Sequence, residues 1–209
     1  MQISVFGASG RTGRPLIEQA LAQGHQIVGL VRDPAKLPIQ HERLQVVQGD
    51  ISDPQAVDQA IAGSEAVISV IGHVKHSPAD LQAVATRNII AAMRRHNVRR
   101  LVSLTGAGVR APQDQPKLFD HVIRFALKTM AGDVLRDAIA HAELIQSSDL
   151  DWVIVRGPML TDGPRAGNYR VGWVGVNTSP RITRADLADF LLTQATDQRY
   201  IRKMPMVSA

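Results

Sequence analysis

The chain has 209 residues, 44% of them hydrophobic and 21% charged, which suits a single domain with a sizeable core and argues against disorder. It has no cysteine, which excludes disulfides and thiolate chemistry and makes a cytoplasmic location the expectation. The net charge of +5 raises nucleic acid as a partner, but aromatics are only 4% and the arginines are scattered, so an anionic small ligand is expected instead.

Strand and helix patterns alternate from the start. "ISVFG" reads as a buried strand with no basic, apolar leader before it, so no signal peptide is expected. A helix follows from about Arg11 to Gln23, with an apolar stripe at Leu16, Ile17, Ala20 and Leu21 and a stop at Gly24. "QIVGLV" and "LQVVQGD" are the second and third strands; Asp53 and Pro54 then open a short helix that ends before Gly63. "AVISVIG" is the fourth strand, Ser77-Pro78 opens a long helix to about His96, and "RLVSLTG" is the fifth strand. The paired arginines Arg94-Arg95 and Arg99-Arg100 read as charge at that helix's C-terminus.

Beyond it, "LFDHVIRFALKTM" and "DVLRDAIAHAELIQ" read as helices divided near Gly132, followed by the strand "DWVIVR". Then come Gly- and Pro-rich stretches with a hairpin in "YRVGWVGV", a helix capped by Thr183, and a terminal strand near "MPMVS". No apolar run approaches the ~20 residues of a membrane helix. The alternation predicts an α/β fold: a Rossmann-like, doubly wound parallel sheet with helices on both faces and a small C-terminal substrate-covering part. Residues 1–209 read as one domain, with 106–132 and 157–183 as the segments that shape a pocket.

The strand-to-helix turn "GASGRTGRP" carries glycines at 7, 10 and 13. In that context such a loop presents backbone N–H groups and a helix N-terminus to a diphosphate. At the end of the second strand, where an acidic residue would select NAD, stands Arg32, whose guanidinium matches a 2′-phosphate. Arg11 and Lys36 add to that charge, and Asp33 reads as opening the turn at Pro34, so NADP(H) is expected over NAD(H). Asp50, followed by Ile51, closes the third strand and suits the adenine amino group, or else a simple turn. Gly72, Thr105 and Gly106 sit at the carboxyl strand ends where ligands of open parallel sheets bind. His73 follows the fourth strand directly and suits the nicotinamide edge or the pyrophosphate.

"VFGASGRTG", "LVRDPAKLP", "VVQGDISD", "AVISVIG", "TRNIIAAMRRHNV" and "RITRADLADFLLTQATDQRYIRKMP" together resemble the atypical short-chain dehydrogenase/reductases, in particular NAD(P)H-binding proteins related to the biliverdin IXβ/flavin reductases. The likeness runs nearly end to end and weakens over 106–179. It implies a Rossmann fold, NADP(H), and hydride transfer to flavins or linear tetrapyrroles. It also implies cofactor contacts at Gly7, Ser9, Gly10, Arg11, Thr12, Arg32, Asp50, Gly72 and Thr105.

The Tyr-x-x-x-Lys dyad of most short-chain dehydrogenases is absent: Tyr169 and Tyr200 are followed four residues on by Trp173 and Met204. Val134 and Ala138 align with the dyad's place. The serine and histidine of the flavin/biliverdin reductase pocket align with Gly106 and Met159. A reduced flavin takes its proton from solvent, so these losses weaken the tetrapyrrole assignment more than the flavin or quinone one. The expected function is NADPH-dependent reduction of a flat acceptor, with flavin as substrate rather than prosthetic group. The alternative is a non-catalytic NADP(H) sensor acting through a protein partner. Met159 and Trp173 are candidate substrate contacts, His76 is a weaker neighbour of His73, and His121 and His141 read as helix packing or surface residues. No metal site is expected, and the chain should be a monomer or weak homodimer.

Overall fold

In the computed structural model, which describes residues 1–118, 129 and 131–209, the expected order of elements forms one eight-stranded sheet. In chain order these are β1 (Gln2–Phe6), α1 (Gly13–Ala22), β2 (Gln26–Val31), β3 (Leu44–Gln48), α2 (Pro54–Ile61), β4 (Ala66–Ser69), α3 (Leu81–Arg95) and β5 (Arg100–Gly106). There follow α4 (Gly132–Gln146), β6 (Asp151–Gly157), β7 (Met159–Thr161), β8 (Arg170–Gly172), β9 (Arg181–Thr183), α5 (Arg184–Thr193) and β10 (Met206–Ser208). The sheet order is β3-β2-β1-β4-β5-β6-β10-β8, parallel throughout except where β8 runs antiparallel to β10. The order reverses between β1 and β4, which is the switch point where this architecture opens a crevice.

Burial follows from the connections. Helical crossovers cover both sheet faces, so β1 from Ile3 onward and all of β4 are buried and mostly apolar. Helices α1 and α5 close one face, where Leu16, Ile17 and Leu191 are fully buried; α2, α3 and α4 close the other around Ile61, Met93 and Ile145. The local stops act as read: Gly24 takes φ +84°, its N–H reaches Leu21 O at 3.0 Å, and His25 N–H reaches Ala20 O at 3.0 Å. Asp53 caps α2 by accepting from Gln55 N–H at 2.9 Å, and Thr183 caps α5 by accepting from Asp186 N–H at 3.1 Å.

Three expectations change. The long helix does not start at Ser77-Pro78 but at Leu81. Ser77 instead closes a turn, its hydroxyl accepting from Val74 N–H at 3.0 Å, and the helix start is capped from another element, as described below. The stretch "YRVGWVGV" does turn at Trp173–Val176, but the ladder partner of β8 is β10 rather than a following strand. Two short parallel strands, β7 and β9, form a separate pair that the sequence pattern did not announce. Of the helix expected over "LFDHVIRFALKTM", most residues lie outside the described ones, as does His121.

A buried ion pair ties the C-terminal half together. Arg156 on β6 is fully buried and forms a two-pronged pair with Asp114, both distances 2.7 Å. Its remaining donors reach Met204 O at 2.8 Å and Val109 O at 3.0 Å. Asp114 also accepts from Ala111 and Val174 N–H, so the 109–114 loop, β6, the turn at 174 and the segment before β10 meet at one charge pair.

Candidate functional site

At the carboxyl edge of the sheet lies a cavity of about 810 Å³, within the roughly 300–1,000 Å³ of cofactor and ligand sites. Its lining runs from Asp50 beyond β3 to Gly157 at the end of β6. That spans five inter-strand spacings at about 4.8 Å, roughly 24 Å, enough for two nucleotides end to end. The structure brings together Gly7, Ser9, Gly10, Arg11, Thr12, Arg32, Asp50, Ile51, Gly72, His73, Thr105 and Gly106, which all line this cavity.

The glycine loop is built by close approach. Gly7 sits at φ +84°, and a Cβ there would lie 2.9 Å from Val70 O. A Cβ on Gly13 would lie 2.2 Å from Gly7 O and 2.7 Å from Ala8 O, so only glycine lets α1 begin this close to β1. The turn is held by Gly10 N–H donating to Gly7 O at 3.0 Å. Arg14 braces it from behind, donating to Ser9 O at 3.2 Å and across to Lys36 O at 2.9 Å. This bond couples the loop to the turn that carries Arg32.

At the β2–β3 end, Arg32 is exposed and lines the cavity. Asp33 turns away to the task read from sequence: it accepts from Ala35 N–H at 3.1 Å and pairs with Lys36 at 3.8 Å. Lys36, paired with Asp33, lies outside the lining. Asp50 caps its own turn through Oδ1, accepting from Ser52 N–H at 2.8 Å and Ser52 Oγ at 2.6 Å. Those two Ser52 bonds, helped by the Arg32 charge, hold its carboxyl below the ordinary range.

At the other end, Gly72 and Gly106 have open space where a Cβ would stand, and Thr105 Oγ1 is buried with no hydrogen-bond partner among the described residues. The wall beyond is apolar, made by Val109, Val134, Leu135, Ala138, Pro158 and Leu160. The two aligned dyad positions, Val134 and Ala138, thus face the same cavity. Met159 and Trp173, offered as substrate contacts, do not: Met159 is 61% exposed, and Trp173 packs against the core cluster around α2, α3 and α4. Chain direction explains this, since Pro158 and Leu160 flank Met159 and strand alternation turns it outward. Neither tyrosine lines the cavity. Tyr169 donates to Asp189 Oδ2 at 2.8 Å and stacks edge-on against Phe190; burial and that carboxylate push its pKa far up.

Sequence reading missed Arg184 and Asp137. Arg184 lines the cavity and pairs with Asp162 at 2.6 Å, the carboxylate that Arg11 approaches at 4.0 Å. Asp137 lies behind the cavity and accepts from His73 Nε2 at 2.7 Å. It was legible as an acid on the apolar face of α4, four residues before His141, but not as the partner of a loop 64 residues away. His76 is exposed with φ 67°. No group of His, Cys, Asp and Glu able to hold a metal occurs among the described residues, and no described helix is long and apolar enough to cross a membrane.

The residues present fit a dinucleotide. The glycine loop leaves backbone donors clear for a diphosphate, two glycines leave space at the far end, and Thr105 Oγ1 is a buried polar atom in need of a partner.

Comparison with known proteins agrees. The family described as NAD(P)H-binding matches residues 7–198. A 3-diazoavenalumate denitrifying reductase from Streptomyces is 31% identical over 82% of this chain and 60% of its own length. A 2-alkyl-3-oxoalkanoate reductase from Stenotrophomonas maltophilia is 29% identical over 93% of this chain and 66% of its own length. The chain thus spans under two thirds of these relatives. Among solved structures, the oxidoreductase ylbE from Lactococcus lactis superposes with TM-score 0.83 at 20% identity, covering 100% of this chain and 90% of its own. A short-chain dehydrogenase/reductase from Veillonella parvula in complex with NADP gives 0.82 at 20%, covering 100% and 94%. The anaerobillin reductase ChuY from Escherichia coli O157:H7 gives 0.79 at 21%, covering 100% and 97%.

Proposed function

The chain belongs to the NAD(P)H-binding family, and from that membership we propose that it is an NADPH-dependent reductase of a flat, conjugated acceptor such as a flavin, a quinone or a linear tetrapyrrole. The reductase names of the curated relatives support the reaction class, and the anaerobillin reductase among the structural neighbours supports including tetrapyrroles.

The observation that carries the reading is the two-part cavity. One part is polar, with the glycine loop and Arg32; the other is apolar, from Thr105-Gly106 to Val134 and Leu160. Backbone N–H groups of 7–13 would hold the diphosphate and Arg32 the 2′-phosphate, which favours NADPH over NADH. Asp50 Oδ2 is left to accept from the adenine amino group while Oδ1 holds its turn. Thr105 Oγ1 and the open faces of Gly72 and Gly106 would set the nicotinamide. When bound, NADPH supplies the hydride; the apolar wall holds a flat ring against it and excludes water. A hydride acceptor stacked this way draws on orientation rather than on a tyrosine acid.

The test is titration with NADPH and NADH, followed by turnover of FMN, menadione and biliverdin. NADPH is expected to bind the tighter of the two and to be consumed with at least one acceptor. Tight NADPH binding without turnover of any of them would overturn the reading and leave a cofactor-sensing protein that acts through a partner. Preference for NADH would overturn the role given to Arg32.

A further inference from the structure

Among the described residues, the cavity is lined by one side chain of the type that exchanges protons near neutral pH, His73. His73 is 12% exposed, and its Nε2 lies 2.7 Å from Oδ2 of Asp137, itself 1% exposed. Asp137 is fixed in turn. Its Oδ2 accepts from Gln82 N–H at 2.7 Å and its Oδ1 from Ala83 N–H at 2.9 Å, so a carboxylate from α4 caps the N-terminus of α3. The neighbouring Gln82 side chain donates to Ile71 O at 2.9 Å, which fixes the strand end that carries Gly72 and His73.

The geometry points to His73 as a catalytic proton donor to the reduced acceptor, with Asp137 as the residue that positions it. This rests on the reductase reading above. A charged carboxylate can only accept, so Nε2 carries a proton and donates it to Asp137. The nitrogen left to exchange a proton at the cavity is Nδ1. In the step, a hydride bonds to the electrophilic atom of a conjugated carbonyl acceptor. The displaced electron pair moves to the carbonyl oxygen of a quinone, or to the conjugated imine-type ring nitrogen of a linear tetrapyrrole, and that atom takes the proton from His73 Nδ1. The acceptor gains two electrons, the nicotinamide loses two, and His73 recovers its proton from solvent. The acceptors that use such a donor are quinones and linear tetrapyrroles; a flavin, protonated by water, does not need it.

The titratable and charged groups on the elements around His73 are few. On α4 they are Asp137, the deeply buried and neutral His141, the exposed Glu143, and Asp133 with Arg136, paired with each other on the exposed side. Ahead of α3 are the exposed Lys75 and His76, which do not line the cavity, and Asp80, which does.

Two variants test this. His73→Gln should leave thermal unfolding unchanged and NADPH affinity within about threefold, while kcat with menadione and biliverdin falls about a hundredfold. The fall with FMN should be smaller than with menadione or biliverdin. In the wild type, kcat with menadione should fall as pH rises, because the donor is lost; His73→Gln should lack that limb. Nitrogen-15 NMR of the free protein should show the neutral imidazole of His73 protonated on Nε2, a signature that Asp137→Asn should lose. Menadione and biliverdin turnover within twofold of wild type in His73→Gln would overturn the proposal while NADPH reduction stands. An equal loss of NADPH affinity and turnover would overturn it too, as would a neutral His73 protonated on Nδ1. No turnover by the wild type overturns the reductase reading itself.

Discussion

Single side chains decide the cofactor more than the fold does. Arg32 is free to meet a 2′-phosphate because Asp33 is occupied by Ala35 N–H and Lys36. Hydrogen bonds to charged groups contribute about 1.5–3 kcal/mol. Arg32→Ala should therefore raise the NADPH dissociation constant about 10–100-fold and leave NADH within a few fold, read by fluorescence titration. Glycines make the contrasting case. A Cβ at Gly13 meets Gly7 O at 2.2 Å, whereas one at Gly72 meets nothing within 4 Å. Gly13→Ala should destabilise the fold by roughly 1–3 kcal/mol, as overpacking does. Gly72→Val should unfold as the wild type does, within about 0.5 kcal/mol, and bind NADPH at least about tenfold more weakly, a change of ~1.4 kcal/mol. Denaturant titration and cofactor titration on the same two variants separate packing from binding. The glycines and Arg32 were legible because a phosphate cradle imposes spacing on the chain itself. The partner of His73 was not, since the 64 residues between it and Asp137 carry no spacing rule.

Between elements, buried polar groups set the pH range of the fold. His141 on α4 is buried and held to about 4 by desolvation, only partly opposed by Asp137. Its neutral form is satisfied: Thr86 Oγ1 donates its one proton to Gln82 O, so it accepts from Nδ1 at 2.6 Å, and Ser103 Oγ is 3.2 Å from Nε2. The unfolded chain protonates this histidine below its ordinary 6.5, the native one only below about 4. The unfolded state thus binds more protons in that window, and stability falls as pH drops from 6.5 towards 4, by roughly 3 kcal/mol. Urea unfolding at pH 7 and 4.5 should show most of that loss, and His141→Gln should flatten it. Asp114 acts lower. Burial pushes its carboxyl up, but Arg156 and the Ala111 and Val174 N–H groups outweigh this and hold it below the ordinary 3.8. Its contribution is present above that value and is lost as pH falls through the native one. Asp114→Ala leaves Arg156 buried without its charge partner and should cost about 3–5 kcal/mol. The sequence showed α4 as a helix with an apolar face, but a polar residue on such a face reads as packing until the facing helix is known. For the same reason the start of α3 was misread: its cap is a side chain of α4.

At the scale of the whole molecule, a ligand that binds only the folded form stabilises it by mass action. At a hundred times its dissociation constant NADPH should add about 2.7 kcal/mol, a rise in melting temperature of roughly 5–10 °C for a chain of this size. Thermal unfolding with NADPH and NADH at equal concentration checks it, and the larger shift should belong to NADPH. What the sequence determined by itself was the doubly wound α/β sheet, the glycine loop and twelve of the residues that line one cavity. Those features follow from local rules: periodicity, caps, and the carboxyl ends of successive parallel strands, which one edge of the sheet must collect. Only the tertiary structure decided the rest. It turned Met159 and Trp173 away from the cavity, made Val134, Leu135 and Leu160 its apolar wall, and set His73 on Asp137. Those contacts join segments with no periodic relation along the chain, so packing alone selects them.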